Sequence, residues 1–214
     1  MDQIRTLTER LKAETNKRLQ VEILQELAES ILREYMIELS PYFRIYPIEV
    51  EAYYYNPSRF PDASSLRNEL QKNRFGQLFF HRGKPLETDV ILEEDGGMHI
   101  CLSDSDAFNL SFFIRSARIN DESRAVSGPD NLLRRVAEYV CSIKSDKLTL
   151  EDIQKLKRLE DLENLLVRVE TEKKGKTPIF SSRIGIDRNT YYEKAGLRAL
   201  INVENLNNQA LRKY

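Results

Sequence analysis

The sequence predicts an α+β fold, a single domain in which a curved, mainly antiparallel β-sheet or partial barrel is flanked by helices. Three observations carry this. Apolar residues recur at helical spacing over the first 38 residues, residues 42 to 118 break into β-branched and aromatic runs joined by short turns, and helical spacing returns after Gly128. A chain of 214 residues can bury one sizeable core. We therefore expect one domain over 1–214, with a helical part at 1–40, a β-rich core at 41–119, and helices with a basic C-terminal segment at 120–214.

In the first part, Ile4, Leu7 and Leu11 and then Val21, Ile23, Leu24, Leu27, Ile31, Leu32 and Met36 form an apolar stripe from residue 3 to about 38. A break near Asn16 makes it one helix or two. Ser40-Pro41 ends it, because proline disfavours helix in the residue before it. Tyr42 to Ile45 and Ile48 to Tyr55 read as extended, either as two segments or as one strand interrupted at Pro47. Asn56 to Ser65 is a loop by its prolines and small polar residues. Gly76–Arg82, Thr88–Leu92, Met98–Leu102 and Leu110–Arg118 read as strands, with Gly83, Gly96-Gly97 and the stretch from Asp104 to Asn109 as turns. Gly128-Pro129 opens a helix to about Ser142, and Thr149 caps another from Leu150. Leu165 to Thr171 alternates like a strand, Glu172 to Lys176 is a turn, and a helix or two is expected in 179–214.

Composition narrows the class. Charged residues make up 31% and hydrophobic residues 41%, as in an ordinary soluble globular chain. No run approaches a membrane span, and the N-terminus leads straight into a charged helix, so no membrane partner and a cytoplasmic location are expected. Cys101 and Cys141 are too few for a disulfide framework and read as buried thiols. With His81 and His99 as the two histidines, no metal motif is spelled, and no cofactor is expected. The formal net charge is −1, which argues against indiscriminate nucleic-acid binding. From Lys173 onward, however, nine lysines or arginines face three acids, which suggests a phosphate-facing surface.

The chemistry concentrates on Ile48-Glu49-Val50-Glu51-Ala52-Tyr53-Tyr54-Tyr55. Alternation puts Ile48, Val50 and Ala52 on one face and Glu49, Glu51, Tyr53 and Tyr55 on the other. Carboxylates beside aromatic rings suit an enzyme that holds a planar base and activates water behind it. They equally suit the wet side of a half-buried strand. On the last strand Phe113, Arg115 and Ala117 share a face, with Phe112, Ile114 and Ser116 opposite. Arg115 sits inside an apolar run and needs a buried or cleft-side partner, for which Glu51 is a candidate. Asp89, near the start of its strand, is a polar group for the same cleft or a solvated strand end.

Read together, these pieces resemble the 3-methyladenine (alkylpurine) DNA glycosylase family. Leu27-Ala28-Glu29-Ser30-Ile31-Leu32 is similar to the family's N-terminal helix motif, and Ile48 to Tyr53 to its V-E-x-E-A-Y strand. Arg67-Asn68 with Gly76-Gln77-Leu78-Phe79-Phe80, then Phe113-Ile114-Arg115-Ser116-Ala117, Gly128-Pro129 and Ser182-Arg183-Ile184-Gly185-Ile186, follow in the family's order. The resemblance implies that Glu51 activates the water, Tyr53 stacks on a flipped base, Arg115 takes the family's arginine position, and His81 replaces its second pocket tyrosine. The chain departs from the pattern in three places. Pro57 to Ser65 holds no stacking histidine, Arg82-Gly83-Lys84-Pro85 replaces the wedge that fills the gap in DNA, and the basic, aromatic C-terminus is reduced.

The expected function is hydrolysis of the N-glycosidic bond of an alkylated purine, with Glu51 and Arg115 catalytic and Tyr53, Tyr55, His81 and Asp89 contacting substrate. The expected partner is duplex DNA with a flipped base, held weakly and in a salt-sensitive way. A non-catalytic module binding a nucleotide or protein on the same fold, and a hydrolase of a free modified nucleoside, are the alternatives. The missing wedge and histidine favour a module, whereas the intact Glu-Ala-Tyr favours an enzyme.

Overall fold

A computed structural model describes residues 2–65, 68–81, 96–141, 150–169, 177–186 and 191–201. In chain order the elements are α1 (Asp2–Ala13), α2 (Lys17–Glu34), β1 (Tyr35–Ser40), β2 (Phe43–Asn56), β3 (Phe60–Pro61), a short 3₁₀ turn (Asn68–Gln71), β4 (Leu78–His81), β5 (Gly97–Cys101), β6 (Asn109–Ile119), β7 (Val126–Ser127), α3 (Pro129–Cys141), α4 (Leu150–Glu160), β8 (Leu166–Arg168), β9 (Ile179–Ser181), α5 (Tyr191–Lys194) and β10 (Arg198–Leu200). The expected fold class is the observed one, an α+β arrangement with a curled antiparallel half-barrel and flanking helices. Among the described residues no helix is long and apolar enough to cross a membrane.

The N-terminal stripe is two helices, because the Asn16 side chain caps α2 by accepting the Arg18 and Leu19 N–H groups. The apolar face of α2 packs onto β2, β1 and β10, and α1 packs onto α2. The helix ends four residues before the expected residue 38. Tyr35, Met36 and Ile37 are strand residues that pair with β8, and Ile37 pairs with β2 as well, so the β-prone Tyr-Met-Ile run follows its neighbours and not the helical spacing. In the C-terminal segment one helix, α5, falls among the described residues, and strands that were not expected accompany it. Apart from the four-residue α5, its main described element is the strand β10, which pairs with β2 and β9. The expected strand Thr88–Leu92 and the turn Glu172–Lys176 lie outside the described residues. Cys101 is a free, fully buried thiol, whereas Cys141 is half-buried, and burial together with nearby Asp152 pushes it up to about 11.

Residues 43–56 form one strand, and this strand organises the sheet. β2 pairs with β6 along one edge, and with β1, β10 and β3 along the other. Beyond β6 the order continues through β5 to β4. Where Pro47 interrupts the apolar pattern the ladder is bulged in both strands. The register runs Pro47 to Ala117, Glu49 to Ser116 and Val50 to Ile114, so Ile48 and Arg115 are each an extra residue. Core membership switches parity across this point. Phe43 and Ile45, then Val50, Ala52 and Tyr54, line the core from β2, and Leu110, Phe112 and Ile114, then Ala117 and Ile119, line it from β6. The expectation that Ser116 opposes Arg115 is therefore corrected. The bulge turns Ser116 to the Glu49 side, where its hydroxyl donates to Glu49 Oε2 at 2.7 Å.

Candidate functional site

The strand face away from the core carries one row of side chains across five strands. Arg198 pairs with Glu51, Glu51 with Phe113, Phe113 with His99, and His99 with Phe79. Neither carboxylate is on a wet face, since Glu49 is 2% exposed and Glu51 0%. The alternative of a solvated strand face is thus set aside. Burying two carboxylates costs several kcal/mol each unless they are paired, which explains the cations around them.

Glu51 is held from both ends. Its Oε1 accepts the Ile184 N–H at 2.8 Å, and its Oε2 accepts the Tyr53 hydroxyl at 3.1 Å and faces Arg115 Nη1 at 3.5 Å. Burial pushes the Glu51 carboxyl above the ordinary carboxylate range, and neighbouring Glu49 adds to this. Arg115, the Ile184 N–H and the Tyr53 hydroxyl pull the other way without cancelling it. Burial, and then the charge of Glu51, also raises the Tyr53 phenol, so the ring acts as a hydrogen-bond donor at neutral pH. Glu49 accepts from Arg198 Nε at 2.7 Å and faces Arg115 Nε at 3.5 Å, so Arg115 bridges the two glutamates.

Tyr53 is itself boxed in. The Arg183 guanidinium lies over its ring, 4.7 Å from the centroid, while His99 and Phe113 meet it in edge-type contacts at 5.7 and 6.4 Å. Arg183 is anchored in turn. It pairs with Asp62 at 2.8 Å and donates to the carbonyls of Ala52 and Tyr192. This ties the loop after β2 to the segment 182–186, whose Ile184 N–H binds Glu51. Phe113 is wedged as well, since a methyl group on Gly97 would stand 2.1 Å from Phe113 Cε2 and 3.2 Å from Pro129 Cβ. Gly97→Ala is expected to push that ring aside and cost about 1–3 kcal/mol, read as a lower urea midpoint.

Of the residues expected in the site, Glu51, Tyr53 and Arg115 come together. Tyr55 lies two positions past Tyr53, at the end of β2, where it pairs with Pro61 and Asn109. His81 ends β4 opposite Gly97, three strands away from β2 in the sheet order. Asp89 lies outside the described residues. Sequence reasoning passed over Asp62, His99, Arg183 and Arg198. Arg198 gave the same signal as Arg115, a charge within an apolar strand, and was available to find. Among the described residues no group of three His, Cys, Asp or Glu side chains could hold a metal ion.

Fold and site together define an α+β half-barrel whose central strand presents a buried, arginine-bridged glutamate pair to an aromatic box. No protein-family model matches the chain, and no curated protein matches it.

Proposed function

We propose that this protein is a glycosylase-like hydrolase that cleaves the N-glycosidic bond of a damaged, alkylated purine. The observation that carries the reading is the buried Glu51 carboxylate, raised in basicity and hydrogen-bonded to Tyr53 beside the rings of His99 and Phe113. Stacking on Tyr53 would hold the base. Glu51 would take a proton from a water whose oxygen attacks the sugar carbon, while the bond from that carbon to the base breaks and its electrons leave with the base. A carboxylate with raised pKa is the stronger base for this step. An alkylated, cationic purine leaves as a neutral molecule, so no further acid is required. Arg115 would keep Glu51 oriented and favour its ionised form.

A second reading, a non-catalytic module for a nucleotide or protein, is favoured by one observation. Both Glu51 oxygens already accept hydrogen bonds within the protein. An excision assay on duplex DNA carrying an alkylated purine, run beside the free nucleoside, separates the readings. Release from DNA supports the proposal, release from the nucleoside alone moves the substrate class, and release from neither leaves the module.

Duplex binding is expected to be weak and to collapse with salt. If six phosphates are neutralised, affinity falls about 10³-fold between roughly 50 and 200 mM salt. Charge reversal at Lys173, Lys174 and Lys176, which lie outside the described residues, should weaken binding further. Fluorescence anisotropy across a salt series checks this, and tight binding indifferent to salt would refute it.

A further inference from the structure

Among the described residues seven large hydrophobic side chains are exposed, and two of them, Tyr42 and Tyr139, share one cleft. The cleft has a volume of about 230 Å³ and lies at the Phe43 end of β2, roughly 25 Å along an extended strand from Glu51. Both tyrosines are held in place. The Tyr139 ring stacks on buried Phe43 at 4.0 Å, and its hydroxyl lies 2.7 Å from Ser40 Oγ. Asn120, at φ 47°, a region asparagine tolerates, clamps the turn before β2 to the end of β6. Its Oδ1 accepts the Arg44 N–H at 2.7 Å and its Nδ2 donates to the Tyr42 carbonyl at 3.0 Å, so the Tyr42 backbone is fixed while its side chain is 82% exposed. Tyrosines presented to water in this way are enriched at interfaces. The polar wall is Glu122, Arg135 and Glu138. Arg135 donates to Glu122 Oε1 at 2.8 Å and to Glu138 Oε2 at 3.4 Å, which leaves the second oxygen of each carboxylate outside those bonds. Positions 135, 138 and 139 share one face of α3, so carboxylate and ring converge on the same space. Two carboxylates against one guanidinium give the cleft a net negative charge. A phosphate backbone is repelled by such a surface, whereas a cation finds π faces and a carboxylate together.

We propose that this cleft is a docking site for an arginine side chain presented by a partner protein. A guanidinium lies flat on a tyrosine ring while its fork pairs with a carboxylate, a combination that the point charge of lysine does not match. Size and openness decide between a protein and a free small molecule. Small-molecule sites run to about 300–1,000 Å³ and bury most of their ligand. This cleft is smaller, and its tyrosines stand exposed, which suits one side chain carried on a protein surface. The proposal is independent of the glycosidic-hydrolase reading, since none of these residues belongs to the glutamate site.

The test is an NMR titration of the ¹⁵N-labelled full chain with a short glycine–serine peptide carrying one central arginine, with its glutamine counterpart, and with free arginine. The arginine peptide is expected to shift the amides of Asn120 and Tyr139 and to bind about tenfold tighter than either control. Tyr42→Ala should weaken it about tenfold, because the exposed π face is lost. Arg135→Met gives the sign of the charge. It removes the resident cation and should tighten the arginine peptide about threefold, the worth of an exposed ion pair, whereas a site for an anion would weaken. Glu138→Gln, which changes charge with little change of shape, should weaken binding and serves if Tyr42→Ala does not fold. Equal binding of the glutamine peptide, or weaker binding by Arg135→Met, overturns the cationic assignment. Free arginine bound as tightly as the peptide overturns the partner protein. No amide shift at the cleft with any probe overturns the site itself.

Discussion

Glu51→Gln is expected to lose base excision by about a hundredfold or more while the fold survives, because a positioned general base contributes roughly 10² to 10⁴ in rate. The amide keeps an acceptor for the Ile184 N–H and can donate to the Tyr53 oxygen, and Arg115 retains Glu49, so little packing is lost. Linkage gives the variant a second signature. Since the folded carboxyl titrates above its ordinary value of 4.5, the native state holds the proton more tightly than the unfolded chain. Between the two titrations the native state binds more protons, so this group's contribution to stability is present at acid pH and is lost as pH rises through the folded pKa. Glu51→Gln removes that loss. Its stability relative to wild type should therefore increase upward from about pH 4.5, as read by urea midpoints across pH. Excision by wild type should rise with pH over the same limb as Glu51 ionises. Full activity in Glu51→Gln would place the chemistry elsewhere.

Arg198→Met should be the most destabilising single change in the site, at about 3–5 kcal/mol, because it leaves a buried carboxylate without its closest cation. Arg198 is 1% exposed and supplies the 2.7 Å bond to Glu49, whereas Arg115 stands 3.5 Å from that carboxylate and is shared with Glu51. The double variant Arg198→Met/Glu49→Gln should recover much of the loss, since the orphaned charge is gone. Denaturant unfolding of the two single variants and the double checks both statements. A double variant no more stable than Arg198→Met would assign the loss to packing of the arginine stem instead of charge.

Much of this arrangement was legible because it rests on local rules. The Asn16 break and the strand from Phe43 follow from capping and branching. The Glu51, Tyr53 and Arg115 grouping followed from alternation plus one charge in an apolar run. What was not legible is what distant chain decides. Tyr35–Ser40 became strand because β2 and β8 offered partners. Arg198–Leu200 became strand because β2 had an open edge. Strict alternation misplaced Ser116, since nothing local in Arg115-Ser116 announces that one residue there is supernumerary. Arg183 reaches Tyr53 from 130 positions away in sequence, a contact that no local pattern encodes.

That supernumerary residue has a consequence for how such a site is gained or lost. Skip Arg115 and the ladder still closes: Ser116 faces Glu49, Ile114 faces Val50, and every apolar residue of β6 keeps its side. The guanidinium that bridges the two glutamates therefore belongs to an extra residue that Ile48 balances on β2, so the register is the same on either side of the distortion. A one-residue deletion would strip the bridge and leave Ile48 of β2 without its counterpart, whereas an exchange of side chains at that position would keep the kink and lose only the charge. The backbone distortion and the positive charge are thus separable units of inheritance.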